Sequence, residues 1–68
     1  MIITYKKYST LDKMLLIDMR NLSIKEMIEM ILSLKQGTQK DFTKDSVIFY
    51  SKTYIHIFTF EGVDNING

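Results

Sequence analysis

A chain of 68 residues makes one small domain, and a domain of that size buries only a modest share of its surface, so it is marginal unless well packed or assembled. Nine basic against eight acidic residues leave a formal charge of +1, which argues against both a polyanion mimic and an electrostatic nucleic-acid binder. With no cysteine there is neither a disulfide nor a thiolate metal site, and no stretch approaches the ~18 uninterrupted apolar residues of a membrane span.

Other absences bear on source. Ala, Pro and Trp are missing and Arg occurs once, while Ile and Lys are abundant. That bias follows AT-rich codons and points to an AT-rich genome, such as a low-GC bacterium or one of its phages. The lack of cysteine suits a reducing cytoplasm, and no basic segment leading into an apolar run marks a signal peptide.

Ile2–Tyr8 (IITYKKY) is rich in β-branched and aromatic residues without a breaker and reads as a strand. Ser9–Asp12 supplies turn residues. Lys13–Met19 reads as a second strand, with Leu15, Ile17 and Met19 on one face and Met14, Leu16 and Asp18 on the other. The alternative makes residues 11–20 helical, but such a helix would abut the next one and leave the first strand without a neighbour.

The next stretch, Leu22–Gly37, carries the clearest signals in the chain. Ser23 is the expected N-cap and Glu26 completes an S-x-x-E capping box. Leu22 and Met27 occupy hydrophobic-staple positions, and Gly37 is the expected stop. Between them Ile24, Met27, Ile28, Met30, Ile31, Leu32 and Leu34 fill one broad apolar arc, the pattern of a helix lying on a sheet. A polar loop is expected over residues 38–45. Ser46–Phe60 is then the most β-prone segment, and as one strand it would span ~50 Å against ~20 Å for the helix. It is therefore expected to fold back near Ser51-Lys52 into strands at 46–50 and 54–60. Residues 61–68 read as a polar tail that frays.

The expected architecture is a single α+β domain over residues 1–68, ordered β-β-α-β-β. Its four-stranded mixed sheet has one helix across one face and two parallel strands at the centre. In element order and length this resembles the β-grasp fold of ubiquitin-like proteins and the immunoglobulin-binding domain of protein G. No family motif accompanies the resemblance, so it implies a fold and assigns no functional residue.

Candidate chemistry is sparse. His56 is the single histidine, and a metal site needs three or four ligands, so no metal or cofactor is expected. Thr53 and Thr59 fall on the other face of its strand, so no nucleophile sits beside it. Glu26 and Glu29 read as capping and solubility; Asp41 and Asp45 lack the alternation of a calcium loop. Gly37–Lys40 follows a helix and so meets its negative pole, the wrong one for phosphate. The chain is accordingly expected not to be an enzyme.

The remaining candidate is a surface. If Ile55 and Ile57 face the helix, then Tyr54, His56, Phe58 and Phe60 point outward, joined by Met14, Leu16 and either Ile48 and Tyr50 or Val47 and Phe49. One helix covers one face only, so this apolar face is expected to bind a protein partner or a second copy in a homodimer, as an inhibitor or accessory protein of a phage or mobile element would. The alternative is single-stranded nucleic-acid binding, with Tyr50, Tyr54 and Phe58 as stacking platforms and Lys6, Lys7 and Lys52 on phosphates.

Overall fold

The structure is a computed structural model and describes residues 1–34 and 39–62. Five strands and one helix follow in the order β1 (Ile2–Ser9), β2 (Leu15–Leu22), α1 (Ile24–Leu32), β3 (Gln39–Phe42), β4 (Ser46–Tyr50) and β5 (Tyr54–Glu61). The strands form one sheet in the order β2-β1-β5-β4-β3, and every neighbouring pair is antiparallel.

This corrects the expected four-stranded mixed sheet. The missed element is β3, Gln39-Lys40-Asp41-Phe42, which reads as loop because three of its four residues are polar. It forms because β4 offers it a free edge, with Phe42 opposite Val47 and Asp41 opposite Ile48. The turn between them is closed by the Thr43 N–H donating to the Ser46 carbonyl at 2.9 Å. One added strand reverses the chain once more, so the last strand meets β1 antiparallel where four strands would have met parallel. The expected parallel pair at the centre of the sheet does not form. Residues 15–22 are strand, so the helical alternative for residues 11–20 is also set aside.

The β1–β2 hairpin turns through Thr10–Lys13. Lys13 takes a left-handed φ of 61°, and the Ser9 carbonyl accepts from its N–H at 3.0 Å. Thr10 ties this turn to the β4–β5 turn, its N–H and hydroxyl donating to the carbonyls of Thr53 and Lys52. Two irregularities interrupt β2, one at Leu16 and one before Leu22. At the second, Asn21 adopts φ 62°, a conformation asparagine tolerates better than most residues. The extra residue shifts the alternation by one, so Leu22 lands beside Ile3 on the helix side and is buried.

Leu22 delivers the chain straight into α1. Ser23 caps it: its hydroxyl accepts from the Glu26 N–H at 3.1 Å, and the Glu26 carboxylate accepts from the Ser23 N–H at 2.9 Å. These bonds hold the Glu26 carboxyl below its usual range. The helix closes at Ser33, whose N–H returns to the carbonyls of Met30 and Glu29. The expected stop at Gly37 lies outside the described residues, as do residues 63–68 of the expected tail.

The core is Ile3, Tyr5, Leu22, Phe49 and Phe58, with Met27, Met30, Ile31 and Leu34 of the helix segment packed against it. Phe58 meets Tyr5 with tilted rings at 4.9 Å and Phe49 edge-on at 6.0 Å. Ile24, Ile28 and Leu32 of the expected apolar arc stay exposed on its flank, because one helix turns only part of a wide arc onto a sheet.

Candidate functional site

The expected outward face is only partly where the sequence placed it. Register puts Tyr54, His56, Phe58 and Phe60 on the same face as Ile3, Tyr5 and Phe49, under the helix. Phe58 is 1% exposed and His56 8%, while Phe60 is half-buried against the core. The strand phase is thus the reverse of the expected one. Both faces of β5 are apolar, so alternation alone does not choose between them. The larger aromatic set gains more by burial, and each such ring removes 150–250 Å² from water. Ile55 and Ile57 take the other face, beside Tyr8, Ile48 and Tyr50.

His56 has a structural partner. The Tyr5 hydroxyl lies 2.9 Å from His56 Nδ1 within the core. Burial, with the Lys7 charge opposite on β1, pushes the His56 pKa below its ordinary value. Burial pushes the Tyr5 pKa up, so a neutral hydroxyl meets a neutral imidazole in one hydrogen bond that either group can donate. Lys7 Nζ sits 4.0 Å above the Tyr54 ring, a cation–π contact at the rim. Among the described residues no group of acidic or histidine side chains is arranged to hold a metal ion.

The supposed stacking trio is not brought together. Tyr54 is exposed at one end of the helix-side face and Phe58 is buried. Tyr50 lies on the opposite face, where its hydroxyl donates to Asp41 at 3.0 Å and its pKa is raised in consequence.

Besides Tyr54, two more of the expected residues, Met14 and Leu16, reach solvent, and these two belong to a larger feature. The hairpin turn and edge strand β2 expose Leu11, Met14, Leu15, Leu16, Ile17 and Met19, from 38% at Ile17 to 92% at Leu11. The sequence pattern singled out Met14 and Leu16 for the open face and set Leu15, Ile17 and Met19 on the opposite one. The available signal was position: an edge strand beyond the helix's reach leaves both faces open.

The two sheet edges contrast. β3 is short and carries Gln39, Lys40 and Asp41, the usual protection of an edge against further pairing. β2 is twice as long, with Ile17 and Met19 on its helix-side face and Leu15, Asp18 and Arg20 on the other. Its main-chain orientation follows from the hairpin. Both the N–H and C=O of Ser9 bond within the hairpin, so alternation aims those of Lys7 and Tyr5 at β2 as well. Their partners Ile17 and Met19 answer them, which leaves the N–H and C=O groups of Asp18 and Arg20 pointing out from the edge.

No family model, curated protein or solved structure matches the chain. No helix among the described residues is long and apolar enough to cross a membrane.

Proposed function

We propose that this chain is a small non-enzymatic protein-binding domain that acts by occupying a partner's surface through the β2 edge and its hairpin. The observation that carries this reading is the run of exposed large apolar residues from Leu11 to Met19 along an edge with unspent main-chain groups. Adding a strand at such an edge gives affinity through main-chain hydrogen bonds, and the alternating side chains give selectivity. Leu15 and Leu16, Ile17 and Met19 supply the apolar part. Occupying a surface needs no catalytic group, and the one histidine is engaged with Tyr5. An inhibitory or accessory role for a phage or mobile element, exercised in the cytoplasm, fits the composition.

The test compares the wild-type chain with the Ile17→Glu/Met19→Glu variant as immobilised baits in extracts of the source cell. Both positions lie on an exposed edge, so the variant keeps its fold by circular dichroism and loses whatever the wild type retains. Equal retention by both baits removes β2 from the reading.

A further inference from the structure

Resting on that reading, we propose a specific occupant for the edge: a second copy of this chain, with β2 pairing antiparallel to β2 of its partner about a two-fold axis at Met19. Such an axis stands perpendicular to the sheet and joins two five-stranded sheets into one of ten, with both helices on the same side.

The register follows from the strand itself. The irregularities at Leu16 and before Leu22 leave Ile17–Arg20 as the regular part of the edge, so the axis falls within those four residues. Centred on Asp18, the pair sets two carboxylates against each other; centred on Arg20, two guanidinium groups. Centred on Ile17, it sets Asp18 against Leu16 in the irregular part. Only Met19 sets Asp18 opposite Arg20 of the second copy, twice over by symmetry. Cross-strand pairs of opposite charge favour a register and like pairs oppose it.

The main chain agrees with the charges. Asp18 and Arg20 are the residues whose N–H and C=O groups point outward, so each Asp18–Arg20 pair exchanges two hydrogen bonds and the dimer gains four. Met19 then faces Met19 as the closer, non-hydrogen-bonded pair, with Cα atoms about 4.5 Å apart. Side chains exposed in one copy, Ile17 and Met19, are covered by the other. Within one chain Arg20 reaches across β1 to Glu61 at 3.5 Å, with the two side chains 67% and 52% exposed. A surface pair of that kind is worth little, so exchanging it for Asp18 of the second copy costs little. Asp18 makes no ion pair among the described residues.

Two measurements test the pairing. In the first, sedimentation equilibrium follows the wild type and the charge variants. The wild type dimerises at micromolar concentration. Asp18→Arg and Arg20→Asp each weaken the dimer about tenfold or more, because each replaces two attractions with two repulsions. Mixing those two variants restores association as a heterodimer, and the double exchange Asp18→Arg/Arg20→Asp restores the homodimer. In the second, the lack of native cysteine makes single-cysteine variants clean reporters. Under mild oxidation Met19→Cys forms an intermolecular disulfide, since its Cα spacing is within bonding range, whereas Ile17→Cys stays monomeric on a non-reducing gel. A monomeric wild type, indifference to the charge reversals, or cross-linking at Ile17 in preference to Met19 each overturns the proposal. A wild type that is monomeric yet retains a partner lost by Ile17→Glu/Met19→Glu overturns self-pairing alone, while retention of no partner at all removes the broader reading too.

Discussion

Replacing Phe58 with leucine tests the packing on which the surface assignment depends. A domain of this length has a total stability of about 3–10 kcal/mol at typical values per residue. Truncating a fully buried phenylalanine to alanine costs about 3–5 kcal/mol, enough to unfold the chain and end the measurement. Leucine keeps most of the volume but removes the ring contacts with Tyr5 and Phe49. Each is worth about 0.5–1.5 kcal/mol, so the loss is about 1–3 kcal/mol. At about 4–8 °C per kcal/mol for a chain of this size, Tm falls by roughly 4–24 °C. The control is Ile57→Ala on the opposite face, half-buried with no helix over it. It costs about 1 kcal/mol or less from the area lost. Thermal and urea melts followed by circular dichroism read both. A Phe58→Leu chain as stable as the wild type, alongside a collapsed Ile57→Ala chain, would show that the strand phase described above is wrong.

Three further outcomes follow from local structure. The unfolded chain protonates His56 near its ordinary 6.5, whereas the folded chain resists to a lower pH. Stability is therefore whole above about pH 6.5 and falls as the pH drops through the folded value, and urea midpoints across pH 5–7.5 show that slope in the wild type but not in Tyr5→Phe/His56→Phe. Ser23→Ala removes the cap and half of the capping box and lowers stability by about 1 kcal/mol in urea melts, with Glu29→Ala as a neutral control. Asn21→Val places a β-branched residue at φ 62° and lowers stability by about 1–2 kcal/mol, while Asn21→Gly stays within a few tenths of the wild type; equal melts for the two would remove the argument that this conformation steers Leu22 into the core.

Much of the fold was legible because local chemistry decided it. The capping box at Ser23 and Glu26 formed as read, and the strands near 2–8, 46–50 and 54–60 fell within a residue of their observed ends. The second strand runs on past Met19 to Leu22, three residues beyond its expected end, because Asn21 absorbs an extra residue. What sequence could not supply was information held in pairing. β3 has little propensity of its own and exists because β4 needs a neighbour. The choice between the two faces of β5 lies outside its own alternation, since Ile55 and Ile57 are as apolar as Phe58 and Phe60. That choice is made by the helix and by Tyr5, which accommodates His56. The candidate surface failed for the same reason. Of the residues proposed to bind, Phe58, His56 and Phe60 are packed in or against the core, Tyr50 lies on the far face, and Met14, Leu16 and Tyr54 remain in solvent.

Amide hydrogen exchange along β2, read residue by residue by NMR, bears most directly on the claim that this edge is where the protein binds. In dilute solution the amides of Ile17 and Met19 are protected by β1, whereas those of Asp18 and Arg20, which face away from the sheet, exchange freely. On association, whether at high concentration or with a captured partner, Asp18 and Arg20 become protected while the amides of β3 are unchanged. Protection that appears instead along β3, or Asp18 and Arg20 amides that remain free in the associated state, would contradict the account.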